Sequence, residues 1–141
     1  MKSRAAINKI TYNRFTDENG GRASYELDFP NGGMVYLVGN LIQQNRQTEN
    51  STMVTFGEKG LLHAANNMSL ISNTIVNDHP YGGTFLRVSP GAERTTMANK
   101  LLIGRGRLPA AADCPDLINS YTQIGVNHQG SKSDENETKS L

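Results

Sequence analysis

Three five-residue stretches of the chain alternate between apolar and polar side chains, and the same pattern returns each time. Residues 25–29, 52–56 and 84–88 place Leu27, Val54 and Leu86 on one parity, and Phe29, Phe56 and Val88 follow two residues later. Alternation with a period of two is typical of a half-buried strand. Each stretch runs into a short segment rich in glycine, proline or asparagine, which indicates a turn. The pattern predicts three strands in equivalent positions.

A second motif recurs between these stretches and has the form apolar-x-x-Asn-x-apolar. Its asparagines are Asn13, Asn40, Asn73 and Asn99, at spacings of 27, 33 and 26 residues. The longer middle spacing is explained by an insertion of about six residues near positions 61–66, since a loop tolerates added length at small entropic cost. Two motifs that recur together in one order predict a structural repeat of roughly 27 residues.

A repeat this short cannot bury its apolar face alone, so we expect successive repeats to stack as coils of a solenoid. Stacking would make Leu27, Val54 and Leu86 neighbours on parallel, in-register strands about 4.8 Å apart. Asn13, Asn40, Asn73 and Asn99 would then form a ladder at one bend, because asparagine accepts left-handed backbone angles and hydrogen-bonds its own kind. The alternative is that these asparagines are turn residues of separate loops.

Composition supports one thin domain. The chain has 141 residues, of which 36% are hydrophobic, a low fraction for a compact globule but suitable for a narrow stack. Its net charge of +1 argues against nucleic acid or an anionic membrane as partner. No apolar stretch is long enough to span a bilayer, no signal peptide is recognised at the N-terminus, and Cys114 is the single cysteine, so we expect no internal disulfide.

The domain prediction has three parts. Residues 1–108 form the coils, residues 109–129 form a terminal partial coil or capping segment, and residues 130–141 form a polar, disordered tail. The first motif begins so early that little sequence is left for an N-terminal cap. We therefore expect an open N-terminal end, covered either by preceding coils of a longer protein or by another chain.

The motif residues resemble a known family. Val38-Gly-Asn-Leu-Ile-Gln-Gln44, Ser72-Asn-Thr-Ile-Val-Asn-Asp78 and Asn99-Lys-Leu-Leu-Ile-Gly104 are similar to coils of right-handed parallel β-helix proteins of the pectate-lyase-like superfamily. The resemblance covers about residues 5–108 and implies an all-β, right-handed parallel β-helix of about four coils. It also implies a carbohydrate ligand and a secreted or cell-surface location, although fold alone does not fix function.

Lyases of that superfamily use an arginine or lysine base, often with Ca²⁺ beside it on an exposed sheet. On the outward positions of this chain, Asp28 and Arg87 fall in one column, two rungs apart, and are the candidate catalytic pair. His79 is a further candidate, as a general acid. The alternative interpretation is an ordinary solvated sheet surface.

The loops after the asparagine motif form a second candidate surface. Stacking would bring together a strip of amides, carboxylates and one aromatic ring, which are groups that bind sugars. Its members are Asp17, Glu18, Gln44, Arg46, Asn77, Asp78 and Tyr81. Asp17, Glu18 and Asp78 carry the oxygen ligands that Ca²⁺ prefers, but no loop has a dense acidic pattern. The sequence therefore predicts no cofactor and no metal site, with Ca²⁺ as the alternative.

These observations predict a carbohydrate-associated module that binds a polysaccharide or glycan, or supports a larger extracellular protein. One alternative is the C-terminal part of a uronate lyase that acts by β-elimination. Another is a homo-oligomeric adhesin or fibre segment, in which coil ends pair between chains. The sequence alone favours no compartment.

Overall fold

The computed structural model describes residues 1–17, 20–110, 117–125 and 137–140, with only the backbone for 117–121 and 137–140. The described residues form strands and no helix, so the protein is all-β. The strands are β1 (Ile7–Thr11), β2 (Arg14–Thr16), β3 (Leu27–Phe29), β4 (Met34–Val38), β5 (Leu41–Gln44), β6 (Thr52–Phe56), β7 (Asn67–Ile71), β8 (Thr74–Asn77), β9 (Thr84–Val88), β10 (Arg94–Gly104), β11 (Leu117–Ile124) and β12 (Glu137–Ser140).

The first nine strands come in three successive triplets, which we call repeats one to three, and β10 begins a fourth. Corresponding strands of neighbouring repeats pair in parallel. One sheet has the order β1-β4-β7-β10-β8-β5-β2, and the other has the order β3-β6-β9. β11 continues the first sheet in parallel beside β10, and β12 pairs antiparallel to β11. The predicted parallel pairing between repeats is confirmed.

The strand register confirms the predicted apolar columns. Leu27 lies opposite Val54, which lies opposite Leu86, and all three are buried. Phe29, Phe56 and Val88 form the next column along the same strands. The other sheet adds inward columns in the same way, one of them being Ile10, Leu37, Leu70 and Met97. Each apolar side chain is therefore covered by its counterparts one rung away, which removes their surface from water.

A left-handed residue forms the bend that joins the first two strands of each repeat. Gly39 (φ 66°) and Ser72 (φ 55°) hold this place in repeats two and three. At Gly39 the absence of a side chain also matters, because a Cβ there would come within 2.6 Å of the Tyr12 ring. The bend interrupts the strand ladder and leaves backbone groups that need other partners.

Asparagine side chains supply those partners. Asn40 Oδ1 accepts the backbone N–H of Asn13 at 2.9 Å, and Asn40 Nδ2 donates to Ile10 O at 2.8 Å. Asn73 repeats both bonds one rung further on, to the N–H of Asn40 at 3.0 Å and to Leu37 O at 2.8 Å. Asn40 Nδ2 also donates to Asn73 Oδ1 at 3.0 Å. In contrast, Asn13 is exposed and donates to Thr11 O in its own repeat.

The fourth motif is displaced by one residue. Ala98 lies opposite Ile71 and Leu101 opposite Thr74, which places Asn99 beside Ser72 and Lys100 beside Asn73. Asn99 accordingly has the left-handed conformation of the bend, with φ 49°, and donates from Nδ2 to Ser72 Oγ at 3.1 Å. The ladder position in this repeat belongs to Lys100.

The predicted insertion lies between β6 and β7. Leu61 packs against the core, and Asn66 accepts the backbone N–H of Gly33 at 3.0 Å, so the insertion is fastened to the preceding repeat. Parts of the predicted capping segment 109–129 and tail 130–141 lie outside the described residues, and both assignments stay predictions. In the described part of the chain there is no helix that could cross a membrane.

Candidate functional site

The first candidate site is the outer face of the sheet formed by β3, β6 and β9. Asp28, Thr55 and Arg87 follow one another along a single column, in which Asp28 and Thr55 are buried and Arg87 is exposed. The structure therefore puts the two proposed catalytic side chains on the same face, two rungs apart. We call this surface, with Lys2 and Glu58, the charged sheet face.

Both charges of the proposed pair are already matched by protein groups. Asp28 is only 5% exposed, accepts a hydrogen bond from Thr55 Oγ1 at 2.9 Å and forms an ion pair with Lys2 at 3.0 Å. Arg87 forms an ion pair with Glu58 at 3.0 Å, and its other terminal nitrogen donates to Thr52 Oγ1 at 3.0 Å. Asp28 and Arg87 are thus held apart by separate partners and do not contact each other.

A cleft of about 640 Å³ opens beside this network and is lined in part by Lys2, Tyr25, Asp28 and Glu58. The Tyr25 hydroxyl donates to Glu58 at 2.8 Å. The pKa of Tyr25 is raised above its ordinary value, mainly by that hydrogen bond to a carboxylate and to a smaller extent by partial burial. Tyr25 therefore keeps its proton and is a hydrogen-bonding group rather than a base.

The chemistry of the charged sheet face is that of a fixed ion network. Proton abstraction beside a carboxylate needs a base that is free to accept a proton and a cation that is free to meet the substrate. Here the carboxylate oxygens face lysine and threonine, and the guanidinium faces glutamate. The two ion pairs, Lys2–Asp28 and Arg87–Glu58, therefore link neighbouring parts of the sheet surface, and Lys2, Asp28 and Glu58 line the cleft.

The second candidate site is the predicted loop strip, which the structure divides by burial. Arg46 and Tyr81 are exposed, and Asp78 and His79 are half-buried at the surface. Gln44 and Asn77 are buried, because they occupy the inward parity of β5 and β8. Asp17 belongs to the same inward column and is half-buried, and Glu18 lies outside the described residues.

The buried members of the strip organise the loop from inside. Asn77 Nδ2 donates to Arg105 O at 2.7 Å, and its Oδ1 accepts the N–H of His79 at 3.0 Å. The loop that carries His79 and Tyr81 is thereby fixed to the following repeat. The two rings meet edge to face with centroids 5.9 Å apart, and the Tyr81 ring is 90% exposed.

Three depressions follow one another across this surface. The first, of about 510 Å³, and the second, of about 170 Å³, share Arg46 and Asp78 in their walls. The second and the third, of about 330 Å³, share His79 and Arg105. We call the continuous surface formed by Arg46, Asp78, His79, Tyr81 and Arg105 the polar strip. It runs along the stacking direction, across successive repeats.

Sequence reasoning missed three contributors to this surface. Gln43 Nε2 donates to Asp78 at 2.8 Å and so holds its carboxylate in place. Arg105 donates to Pro80 O at 2.6 Å, and Arg14 lines the first depression. Gln43 could have been predicted from strand alternation, because it directly precedes the inward Gln44 and therefore faces outward. Arg105 directly follows Gly104, the last residue of β10, and Gly104 lies opposite Asn77.

A metal centre of the usual kind is not found. Among residues 1–17, 20–110 and the other described positions, no three His, Cys, Asp or Glu side chains come together in a way that could hold a metal ion. Asp78 lies on the outer surface with Gln43, whereas Asp17 has its Oδ2 buried. Both aspartates line the first depression, and Glu18, the third residue of the predicted Ca²⁺ alternative, lies outside the described residues.

Comparisons of the chain with protein-family models, with curated proteins and with solved structures give no match. Function must accordingly be argued from the residues of this chain.

Proposed function

We propose that this chain is a right-handed parallel β-helix whose polar strip binds a polysaccharide. The finer fold assignment is supported by three parallel ladders in which corresponding residues of successive repeats lie opposite one another. Four repeats separated by about 4.8 Å give a surface that suits an extended chain of sugars better than a single sugar.

The observation that carries the ligand assignment is the combination of an exposed tyrosine ring with two exposed arginines on one continuous surface. Tyr81 offers nearly its whole ring to a ligand, and an aromatic face with an adjacent polar group suits the apolar and hydroxyl faces of a sugar. Arg46 and Arg105 are exposed on either side of Asp78. Guanidinium groups bind carboxylates through two parallel hydrogen bonds, so an acidic polysaccharide is the preferred ligand.

The test is binding of polygalacturonate and alginate, with a neutral polysaccharide for comparison, by isothermal titration calorimetry. Tyr81→Ala should weaken binding about threefold to tenfold if the ring contact contributes about 1 kcal/mol. Arg46→Ala should weaken binding of the acidic polymers and leave the neutral one unaffected. Tyr12→Ala is the matched control, because Tyr12 is also highly exposed (83%) but is not among the residues that line the strip.

Two results would overturn the proposal. One is the absence of any binding heat with all the polymers. The other is equal weakening by Tyr81→Ala and Tyr12→Ala, which would mean that the strip has no special role.

The lyase alternative can be checked in the same samples. β-Elimination leaves an unsaturated uronate that absorbs in the ultraviolet, so turnover would appear as a rise in absorbance. If Asp28 and Arg87 act on substrate, Asp28→Asn and Arg87→Ala should each abolish that rise. We expect binding without turnover, because both side chains are occupied by protein partners.

A further inference from the structure

The third depression of the polar strip differs from the other two in its charge. The first and the second are each lined by arginine together with Asp78, whereas the third is lined by Arg105 and Arg107 and by no acidic residue. Two like charges around one depression repel each other unless an anion lies between them. Binding of a carboxylate by Arg46 and Arg105 does not account for Arg107.

Neither arginine of the third depression is neutralised within the described part of the chain. Both ion pairs found there lie on the charged sheet face. Arg105 donates to the carbonyl oxygen of Pro80 at 2.6 Å, which fixes the guanidinium without compensating its charge. Arg107 is exposed, and among the described residues its side chain has no hydrogen-bond partner. The depression thus holds two positive charges that are open to a ligand.

Hydrogen bonds hold both arginines against the loop that carries His79. The guanidinium of Arg105 is bonded to the residue that follows His79. Arg107 pairs with the end of the same loop, since its N–H donates to Gly83 O at 2.9 Å. A parallel bridge between Thr84 and Arg107 continues this pairing. The loop and the segment after β10 therefore form one connected unit around the depression.

Two glycines line the same depression with their main chains. They are Gly83 and Gly106, and neither position has room for a side chain. A Cβ at Gly83 would clash with Ser51 O, and one at Gly106 would come within 2.7 Å of the Phe85 ring. Within the described ranges, no acceptor is bonded to the N–H of either glycine. Both N–H groups are therefore available to an anion that approaches the backbone closely.

His79 adds a donor from the side of the loop. Its Nδ1 accepts the N–H of Tyr81 at 3.4 Å, so the neutral ring carries its proton on Nε2. Nε2 has no acceptor among the residues that the structure describes. The depression is thus surrounded by donors from three sources, which are two guanidinium groups, one imidazole and the main chain.

We propose that the third depression binds a tetrahedral oxyanion, and that the polysaccharide carries it as a sulfate or phosphate ester. A carboxylate offers two oxygens in one plane, which one guanidinium satisfies. A sulfate or phosphate group offers three terminal oxygens that point in different directions and accept from arginine and from main-chain N–H groups. The polymer part of this assignment rests on the proposed function, whereas the oxyanion site rests on Arg105, Arg107, His79 and the two glycines.

The first experiment uses inorganic sulfate and inorganic phosphate with the isotope-labelled full chain. Nuclear magnetic resonance titrations, with sodium chloride at matched ionic strength as the reference, should show saturable shifts of the Gly83 and Gly106 amide signals. Arg107→Gln should weaken the binding of both anions about tenfold, because it removes a charged donor. Arg94→Gln is the matched control and should leave affinity unchanged, since Arg94 is also exposed but lines none of the three depressions.

The second experiment attaches the anion to a polymer. Dextran sulfate, dextran phosphate and plain dextran are compared by isothermal titration calorimetry with wild type and both variants. We expect the charged dextrans to bind at least about tenfold more tightly than plain dextran, and the tighter of the two identifies the ester. Arg107→Gln should remove most of this advantage, whereas Arg94→Gln should keep it. Polygalacturonate, which carries no such ester, should bind equally to the two variants.

The proposal is overturned if neither inorganic anion shifts the Gly83 and Gly106 signals. It is equally overturned if Arg107→Gln and Arg94→Gln weaken the binding of the charged dextrans to the same extent, because the effect would then be one of net charge. Anion shifts without binding of any polymer would support the oxyanion site and contradict the polysaccharide assignment. Polygalacturonate binding that depends on Tyr81, without any anion shift, would contradict the oxyanion site alone.

Discussion

In repeats two and three, a single side chain, the asparagine after the left-handed bend, links the repeat to the one before it. Asn40 uses its amide oxygen for one backbone N–H of repeat one and its amide nitrogen for a backbone carbonyl of the same repeat. Without these bonds, buried backbone groups at the bend would lack partners. The bend is therefore satisfied by its neighbour and cannot be fully formed in an isolated repeat.

This arrangement predicts a large difference between two chemically identical substitutions. Asn40→Ala removes bonds to repeat one and to Asn73 from a buried position, and should lower the free energy of unfolding by about 2–4 kcal/mol. Asn13→Ala removes one exposed bond and should change it by less than about 0.5 kcal/mol. Urea denaturation of the two variants measures the difference. Equal losses would show that the amide contacts at Asn40 are not what stabilises the bend.

At the scale of the element, β10 shows what a sequence motif can and cannot predict. Strands β6 and β9 could be predicted from the alternation of their sequences, although the structure buries all five residues of β6 and both Phe85 and Leu86 in β9. The sequence motif placed Asn99, 26 residues after Asn73, in the same predicted ladder. In the structure the chain runs through the bend as one strand, and Asn99 itself adopts the left-handed angle. The motif cannot distinguish these cases, because asparagine suits both the bend and the ladder.

Lys100 in the ladder position gives a pH-dependent prediction. Burial lowers its pKa to about 8, against an ordinary value of 10.5. Between these values the native state binds fewer protons than the unfolded chain, so stability rises with pH across the window. Below about pH 8 the amine is protonated in both states, so the native state bears the full cost of burying the charge. Relative to Lys100→Met, wild type should gain about 2–3 kcal/mol over this range.

Denaturant melts of both proteins at several pH values in this window check the prediction. Tyrosines also titrate in alkaline solution, but they are present in both proteins and cancel in the difference. A difference that stays constant with pH would mean that the Lys100 ammonium is well accommodated in the native state.

At the scale of the whole molecule, the sequence predicted columns better than it predicted surfaces. Asp28, Thr55 and Arg87 were placed together correctly, because strand alternation carries from one repeat to the next. The partners that neutralise them were not predicted, since Lys2 and Glu58 lie outside the repeated strands. Gln44 and Asn77 were assigned to a surface loop, although the strand parity continues through them and turns both inward. Counting residues from the asparagine motif predicts which residues of successive repeats lie opposite one another, but not whether their side chains point inward or outward.

Because each repeat contacts mainly its neighbours, stability should be distributed along the stack instead of being shared by one core. Leu37 lies between Ile10 and Leu70 and is fully buried. Leu37→Ala should destabilise its surroundings by about 2–5 kcal/mol. Hydrogen exchange should then become faster in β1, β4 and β7, with a smaller change in β9 and in the distant part of β10. Mass spectrometry of exchanged peptides measures this gradient. An equal loss of protection in every strand would instead identify a single cooperative unit, in which the stacked repeats unfold together and nearest-neighbour contacts do not set local stability.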